Sequence, residues 1–267
     1  MECTDQLHRK LKLEKLPQRI ISLVPSQTEL LVDLGLENKI VGLTHFCVHP
    51  KEIRKNKIRV GGTKSVHFEK IKDLAPDIIL CNKEENTKEI VERLAKDFIV
   101  HVSDVNNLEE NYEMIIQYGK LFDVEAKSNE ILTKTQSEVE KFQSFLVGKP
   151  QLKISYFIWK NPWMVVGKGT FINYLLELNG FENVYSDKTR YPEIQLEQLK
   201  PVDFHLLSSE PFPFGEKEKN ELKPFVGKSR ICFVDGEYFS WYGSRLTKAF
   251  QYFQSLRKNM EKMKSTA

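Results

Sequence analysis

The segment HFCVH at 45–49 contains the residue types of a metal site. His45, Cys47 and His49 alternate with apolar residues, so an extended backbone would place all three side chains on one side. Imidazole and thiolate are good ligands for zinc or for the metal of a bound chelate. Three alternating residues are a weak pattern, however, and Pro50 disturbs the spacing. We therefore favour one of these side chains facing a ligand over a dedicated metal site held by the protein.

Aromatic residues are concentrated where the strands of the second half are predicted to end. Rings at strand ends offer flat apolar surface with polar edges, which suits a large planar or macrocyclic ligand. We expect about half of these rings to pack under loops instead. The rings concerned are Trp159, Trp163, Phe212, Phe214, Tyr238, Phe239, Trp241 and Tyr242.

The common motifs of catalysis are missing from the sequence. There is no GxSxG elbow, HExxH, P-loop or GxGxxG motif. The glycine-rich GGTK at 61–64 does not run straight from a strand into a phosphate-binding helix. Asp235, Glu237 and Arg245 have the chemistry of acid-base groups, but a salt bridge or a cap at a loop is the simpler interpretation. Binding is therefore favoured over turnover.

Short apolar runs alternate with helical patterns along the chain. The pair Ser26 and Glu29 matches a capping box and predicts a helix that begins there and ends at Gly35, while Asn107 with Glu110 caps another. Strands alternating with helices of about ten residues indicate a mainly parallel sheet, and ligands bind beyond the carboxyl ends of such strands. The predicted strands are 20–24, 40–44, 77–82, 98–103, 153–159, 203–208 and 230–235.

One long amphipathic helix is predicted from Val124 to Val147, where apolar residues recur at three- and four-residue spacing. Gly148 and Pro150 end this helix, and Thr170 opens a helix of the second half. The fold class is therefore predicted as α/β, with two Rossmann-like lobes of mainly parallel sheet joined by one long backbone helix. The predicted boundaries are 1–122 for the N-terminal lobe, 123–148 for the helix and 149–267 for the C-terminal lobe.

Two segments resemble each other as an internal repeat would. FEKIKDLAPDIILCN at 68–82 and LEQLKPVDFHLLSS at 196–209 each predict a short helix that leads into a buried strand. Helix-to-strand joints are alike in many α/β proteins, so chance similarity remains an alternative. A real repeat implies two similar lobes, and such proteins usually bind a ligand in the cleft between them. The matched pairs are Glu69 with Glu197, Ile71 with Leu199, Lys72 with Lys200 and Asp77 with Asp203.

The composition is that of an ordinary soluble globular protein. The 267 residues include 40 basic and 37 acidic side chains without a long block of either sign, which gives no support to nucleic-acid binding. No stretch approaches 18 apolar residues, so no membrane span is expected. The N-terminus lacks the apolar core of a secretory signal, and Cys3 has nothing hydrophobic before it. The sequence as given therefore shows no route out of the cytoplasm.

Six segments, in their order and spacing, resemble a known family. They are RIISLVPSQTELLVDLGLENKIVGLTHFCVHP at 19–50, EKIKDLAPDIIL at 69–80, the long helix near 124–147, WMVVGKGTFINYLLELNGFENV at 163–184, LEQLKPVDFHLL at 196–207 and VDGEYFSWYGSRL at 234–246. They look like the helical-backbone (class III) substrate-binding proteins of ABC importers, which include the cobalamin and ferric-siderophore receptors. The resemblance covers the chain from about Thr4 to Leu256. It implies a bilobal, non-enzymatic protein that holds a cobalamin, haem or iron-siderophore molecule in its cleft.

The resemblance also implies ligand contacts and a docking site for a transporter. In the cobalamin and siderophore receptors, one surface carboxylate on each lobe pairs with arginines of the permease. The matching residues are Glu69 and Glu197, although each lies at a predicted helix start, where the helix dipole alone favours a carboxylate. By position, the family's ligand contacts fall on Ser26, Gln27, His45, Phe46, Cys47, Lys64, Trp159, Trp241, Tyr242 and Arg245.

The compartment and the reaction class leave alternatives open. The family implies the periplasm and an ABC permease as partner, whereas the missing signal peptide and lipobox make a cytoplasmic relative the alternative. Such a relative could be an enzyme of metal insertion or corrinoid processing, with His45 or Glu210 as its protonatable group. An adaptor that uses Glu69 and Glu197 without a small ligand is the third hypothesis. We expect a monomer without a resident cofactor, and we favour cobalamin over an anionic siderophore because rings outnumber basic residues at the strand ends.

Overall fold

The computed structural model describes residues 2–265 and confirms the predicted α/β class with mainly parallel sheets. Contacts divide the chain into two compact units. The first contains the chain up to Gln136 together with Trp241–Thr247, and the second contains Ser137–Ser240 and the chain from Lys248 onward. The first division therefore falls inside the long helix, and a short segment near the end of the chain returns to the first unit.

The first unit alternates strands and helices as the sequence predicts. Its elements are β1 (Glu2–Thr4), β2 (Lys10–Lys12), β3 (Ile20–Ser22), α1 (Pro25–Asp33), β4 (Ile40–Leu43), α2 (Ile53–Asn56), β5 (Ile58–Arg59), α3 (Phe68–Asp73), β6 (Ile78–Asn82), α4 (Lys88–Leu94), β7 (Val100–Ser103), α5 (Leu108–Phe122) and the first part of α6 (Glu125–Leu146), which the division crosses. Strands β3 to β7 form a parallel sheet in the order β5-β4-β3-β6-β7, while β1 and β2 form a separate antiparallel pair. The central strands are fully buried, as their isoleucine-rich sequences require.

The remaining elements build a second sheet. They are β8 (Leu152–Trp159), β9 (Met164–Val165), α7 (Phe171–Leu178), β10 (Phe181–Asn183), β11 (Phe204–Ser208), α8 (Glu216–Leu222), β12 (Arg230–Val234), α9 (Gly236–Ser240) and α10 (Leu246–Ser265). Strands β10, β8, β11 and β12 are parallel in that order, and β9 pairs with β8 in the antiparallel direction. Among residues 2–265, no helix has the length and apolarity needed to cross a membrane.

Several predicted helix ends are confirmed. The Asn107 side chain accepts a hydrogen bond from the Glu110 N–H at 2.8 Å, and Thr170 Oγ1 accepts one from the Asn173 N–H at 3.1 Å. The long helix α6 ends two residues before Gly148, which has a φ of +75°. Glycine adopts this left-handed conformation at little cost, so it commonly follows the end of a helix.

The predicted capping box of Ser26 and Glu29 is wrong. Helix α1 begins at Pro25, and Val24 precedes it without a side-chain cap. Proline suits the first helical position because the N–H group that it lacks would have no partner inside the helix. Glu29 forms an ion pair with Arg245 instead of capping the helix.

The two copies of the repeat share the way in which their strands begin. The Asp77 N–H donates to the Arg19 carbonyl, and its carboxylate accepts from the N–H groups of Gln18 and Arg19 at 2.8 and 2.9 Å. Asp203 makes the same contacts with Lys153, because its N–H donates to the Lys153 carbonyl and its carboxylate accepts the Lys153 N–H, both at 2.8 Å. Each aspartate thus fixes the start of its own strand to the start of the neighbouring strand.

The predicted helix of the second copy is wrong. The first copy has the six-residue helix α3, whereas the second has only a 3-10 turn at Leu196–Gln198. Pro201 lies three residues after this turn. The second copy lacks the two extra residues that the first copy has before its proline. Proline lacks a backbone N–H and disfavours the helical conformation in the residue before it, so a longer helix has no room here.

Candidate functional site

The turn after β4 presents two side chains to solvent and buries a third. The N–H of Cys47 donates to the Thr44 carbonyl, so 45–47 is a turn and the predicted extended alternation is wrong. His45 and Phe46 are exposed, with 54% of Phe46 accessible, and their ring centroids lie 4.9 Å apart. Cys47 is fully buried, and the Thr28 hydroxyl donates to its sulfur at 3.1 Å. The backbone therefore places His45 and Cys47 in opposite environments.

The residues of HFCVH do not gather as metal ligands. The His49 ring contacts the edge of Trp241, with centroids 5.4 Å apart. Burial raises the pKa of the Cys47 thiol, which disfavours the thiolate that a metal requires. Across residues 2–265, no three side chains of His, Cys, Asp or Glu are grouped so that they could hold a metal ion. His45 is thus exposed, whereas Cys47 is buried and His49 packs against Trp241.

Gln27 belongs to a buried polar network at the carboxyl ends of the central strands. Its Nε2 donates to Ser103 Oγ at 2.6 Å and to Tyr242 Oη at 3.0 Å, and its Oε1 accepts from Tyr118 Oη at 2.9 Å. Burial raises the pKa of Tyr242, and the hydroxyl also interacts with Ser26. Both the nitrogen and the oxygen of the Gln27 amide have hydrogen-bond partners inside the first unit. The network therefore fixes the position of the segment that contains Tyr242.

The glycine-rich segment 61–64 packs beneath the exposed turn. Gly61 has a φ of +125°, and a Cβ at Gly62 would lie 3.1 Å from the Phe46 ring and 3.2 Å from His45 Nε2. Glycine at both positions therefore allows the two segments to approach closely. Lys64 is exposed, and its ammonium donates to the carbonyl of Glu84 in the turn after β6.

The second unit presents aromatic rings at the carboxyl end of β8. Trp159 is 40% exposed and meets the half-buried Phe212 edge to face, with centroids 5.8 Å apart. Phe212 contacts Phe214 at 4.7 Å, and Phe214 stacks on Trp163 at 5.7 Å. The cluster thus extends from the buried Phe214 ring to the exposed indole of Trp159. This indole offers a rigid apolar surface with one polar N–H edge.

Other rings of the predicted set pack inside their own unit. Phe239 is fully buried, and Tyr238 stacks on Tyr252 with centroids 4.6 Å apart. Trp241 is buried in the first unit, where the Arg245 guanidinium lies 4.6 Å above its ring.

The predicted ligand contacts therefore divide by exposure, and their roles as contacts stay predictions. Exposed ones are His45, Phe46, Lys64 and Trp159. Those buried within the first unit are Ser26, Gln27, Cys47, Trp241, Tyr242 and Arg245.

Three side chains of catalytic types in the second unit, Ser155, His205 and Glu210, have partners within that unit. Ser155 Oγ lies 2.7 Å from His205 Nδ1, but both residues are buried within the sheet of the second unit. Burial lowers the pKa of His205 to about 4, and a substrate cannot reach the serine hydroxyl there. Glu210 accepts a hydrogen bond from the Ser240 hydroxyl, which gives this carboxylate a structural partner.

Glu69 and Glu197 are both exposed on the surface of their own units. Glu69 lies in the first turn of α3, and Glu197 lies in the 3-10 turn of the second repeat copy. Among residues 2–265, neither carboxylate has a hydrogen bond or an ion pair. Both groups are therefore available to a partner.

Two further charged residues lie at the strand ends, and Glu85 is the one that sequence reasoning missed. Lys160 follows β8 directly and pairs with Glu218 and Glu221 of α8. Glu85 follows β6 and is half-buried. Their positions after predicted strands were the available signal, but NKEEN at 82–86 also has the composition of an ordinary solvated turn.

Comparison with known proteins places these units in a family. The family model described as periplasmic binding protein matches residues 20–207. A vitamin B12-binding protein of Vibrio campbellii is 24% identical over 259 residues, which cover 90% of each chain. An uncharacterised ABC transporter substrate-binding lipoprotein of Bacillus subtilis is 28% identical over 204 residues, covering 73% of this chain and 64% of that protein.

A solved structure shows the same fold. A periplasmic haem-binding protein from Pseudomonas aeruginosa superposes with a TM-score of 0.80 at 19% identity, covering 90% of this chain and 92% of that one. The family model covers more than half of the chain. The parallel sheets and the long helix α6 agree with that family assignment. This chain belongs to the periplasmic binding protein family, whose members are substrate-binding proteins.

Proposed function

We propose that this protein binds a metal-containing chelate, with cobalamin as the first candidate, and delivers it to an ABC importer. The observation that carries the proposal is the pair of exposed aromatic surfaces at carboxyl ends of parallel strands, Phe46 after β4 and Trp159 at the end of β8. Strand ends of this kind are where open α/β sheets bind ligands. Family membership and the vitamin B12-binding relative support the same assignment.

His45 gives the candidate site a side chain that suits the metal of a chelate. Its imidazole is exposed beside the Phe46 ring, and the neighbouring glycine at position 62 leaves room for both rings. A neutral imidazole nitrogen binds cobalt, iron and zinc, whereas the ring of Phe46 packs against the organic part of the ligand. The metal belongs to the ligand in this proposal, and the protein needs no resident cofactor.

Binding without turnover is the proposed activity. The Ser155–His205 pair is inaccessible, Glu210 is bonded to Ser240, and His45 has no partner nucleophile among the side chains named above. An enzyme would need an activated group that a substrate can reach.

The proposed partner is an ABC permease, and the proposed docking residues are Glu69 and Glu197. Each is an exposed carboxylate in a first helical turn, with its oxygens available to a guanidinium. Arginine binds carboxylates through two parallel hydrogen bonds, which makes such pairs specific in geometry. A protein with this task works as a monomer on the importing side of the membrane, which is the periplasm or the outer cell surface.

Titration of the purified protein with cyanocobalamin, haemin and ferrichrome tests the proposal. Tryptophan fluorescence reports binding because Trp159 and Trp163 lie in the exposed aromatic cluster. We expect at least one of these chelates to bind with a Kd below about 10 μM, which corresponds to more than about 7 kcal/mol. If none binds more tightly than about 1 mM, the proposed function is wrong.

A further inference from the structure

Glu85 lies in a turn that side-chain hydrogen bonds hold in place. Asn82 Oδ1 accepts from the N–H groups of Glu84 at 2.9 Å and Glu85 at 3.1 Å. Asn86 Oδ1 accepts from the Asn82 N–H at 2.9 Å, and its Nδ2 donates to the Thr63 carbonyl at 2.9 Å. The backbone that carries Glu85 at the carboxyl end of β6 is therefore fixed before a ligand binds.

Burial and two charged neighbours, Lys64 and Glu84, set the electrostatic environment of the Glu85 carboxyl group. Burial raises the pKa of Glu85, and the positive charge of Lys64 opposes this effect only in part. Glu84, in the same turn, also disfavours ionisation of Glu85. The turn that contains Glu85 contacts the segment 61–64, because Asn86 donates to the Thr63 carbonyl and Lys64 donates to the Glu84 carbonyl. Gly62 of that segment packs against the exposed turn after β4.

Part of Glu85 remains exposed at this strand end. Among residues 2–265, its carboxyl oxygens form neither a hydrogen bond nor an ion pair. A mostly buried carboxyl group without a partner is costly, and a ligand that supplies a hydrogen bond removes that cost. Glu85 therefore has both the access and the unused hydrogen-bonding capacity of a ligand contact.

The basic residues named at the strand ends are already neutralised by acidic partners of their own unit. Lys64 is the exception, because its ammonium donates to the Glu84 carbonyl. An anionic ligand would meet cations that are already paired, together with the additional carboxylate of Glu85. The pairs in the first unit, which contains Glu85, are Lys83 with Asp104 and Arg245 with Glu29.

We propose that Glu85 is a specificity-determining residue that selects metal chelates without negative charge over anionic ones. This inference rests on the proposed function. A peripheral amide or hydroxyl of a neutral chelate donates to the ionised carboxylate or accepts from the protonated form. A peripheral carboxylate meets like charge when Glu85 is ionised, so its binding requires protonation of one of the two groups.

Two chemically matched probes test this selection. They are cyanocobalamin, which is neutral overall, and its peripheral monocarboxylic acids, in which one side-chain amide is replaced by a carboxylate. Each is titrated against the wild type and Glu85→Gln at low ionic strength and neutral pH, because salt screens exposed charges. Glu92→Gln is the control, since it removes the same charge from an exposed ion pair with Lys88 on α4.

The wild type is expected to bind cyanocobalamin about tenfold more tightly than at least one monocarboxylic acid, as a like charge several ångströms away predicts. Glu85→Gln should remove most of this difference in affinity by strengthening binding of the acid, while Glu92→Gln should leave the difference unchanged. Equal thermal unfolding midpoints of the three proteins would exclude a folding effect.

The outcomes separate the inference from the proposed function. If the probes bind but Glu85→Gln leaves their affinity ratio unchanged, the role of Glu85 is wrong while the proposed function stands. The same conclusion follows if the wild type binds haemin, with its two propionates, more tightly than cyanocobalamin. If neither cobalamin probes nor haemin nor ferrichrome binds, the proposed function and the inference both fail.

Discussion

Arg245 and Glu29 form a buried ion pair within the first unit, although 216 positions separate them in the sequence. The guanidinium Nε and Nη2 donate to the two carboxylate oxygens at 2.8 and 3.2 Å, and the side chains are only 7% and 9% exposed. Arg245 belongs to the segment 241–247, which returns to this unit near the end of the chain. The pair therefore ties that segment to α1.

Removing one member of this pair should destabilise the first unit strongly. Arg245→Met leaves Glu29 as a buried carboxylate without its partner, and such losses cost about 3–5 kcal/mol. The double variant Glu29→Gln with Arg245→Met should recover a large part, because no uncompensated charge remains. Urea unfolding followed by fluorescence measures both, and equal destabilisation of the single and double variants would contradict the role of charge. Breaking the exposed Lys88–Glu92 pair should cost less than about 1 kcal/mol.

The equivalent aspartates of the repeat should contribute similar stability. Asp77→Asn removes a charged acceptor from the backbone N–H groups of Gln18 and Arg19, and Asp203→Asn removes one from the Lys153 N–H. A hydrogen bond to a charged group contributes about 1.5–3 kcal/mol, so we expect each variant to lose an amount in that range. Chemical denaturation measures the loss. A loss in one copy only would show that the contacts of the two copies differ in energy.

These aspartates also predict an acid-dependent loss of stability. Burial alone would raise the pKa of each carboxyl group, but the backbone N–H donors and lysine partners outweigh it, and both pKa values lie below the ordinary value. A group with a lowered folded-state pKa stabilises the protein above its unfolded pKa of about 3.9 and loses this contribution as the pH falls through the folded value. The wild type should therefore lose stability relative to Asp77→Asn as the pH falls below about 4. Parallel pH profiles of the two proteins would contradict this assignment.

His45 and Cys47, two residues apart, should respond oppositely to substitution. His45→Ala should weaken binding of the chelate without changing the unfolding midpoint, because the imidazole is exposed. Cys47→Ala should lower stability by about 1 kcal/mol and leave affinity unchanged, because the thiol is fully buried among hydroxyl groups. Burial raises the pKa of Cys47, so mass spectrometry should find this thiol unlabelled after treatment of the folded protein with a thiol reagent. Labelling of Cys47 under native conditions would contradict its burial in this turn.

Trp159→Ala should reduce affinity for the chelate about ten- to hundredfold. The exposed indole offers apolar area to the ligand, and full burial of a large apolar side chain contributes about 1.5–3 kcal/mol. Isothermal titration calorimetry with the chelate identified above measures the loss. Phe233→Ala is the control, because it also removes an exposed ring from a strand of the same sheet. Equal losses in the two variants would show that Trp159 has no special role.

Local patterns predicted most of the fold because the forces that set these elements are themselves local. Buried isoleucine runs predicted β3 and β6, and Asn107 predicted the start of α5 because its side chain reaches only three residues along the chain. The hairpin of β1 and β2 was missed, since strands of three residues with polar, half-exposed sequences have no clear period.

The candidate site was less predictable because its partners come from distant parts of the sequence. The sequence pattern predicts that Glu29 caps a helix. Glu29 instead pairs with Arg245, which lies 216 positions away in the sequence. Gln27 is polar in sequence yet fully buried, since Tyr118 and Tyr242 satisfy its amide. Glu85 lies in an acidic segment, and its role could not be predicted because distant residues such as Thr63 hold its turn in place.

Reversing the charge of Glu69 and Glu197 should abolish delivery to the permease without weakening ligand binding. Both carboxylates are exposed and without partners among residues 2–265, so Glu69→Lys with Glu197→Lys should fold normally and keep its Kd. Arginines of a permease would meet like charge in place of a carboxylate, which costs several kilocalories per mole across an interface. ATP hydrolysis by the cognate transporter in proteoliposomes, stimulated by the loaded protein, should fall to its basal rate.

A matched control separates docking from general surface charge. Glu109 is also an exposed glutamate in the first turn of a helix, α5, so Glu109→Lys changes charge in the same helical position without touching the proposed surface. It should leave stimulation intact, and each single reversal at Glu69 or Glu197 should reduce it in part, because each unit contributes one contact. If the double reversal still stimulates ATP hydrolysis fully, these glutamates owe their position to the helix dipole alone.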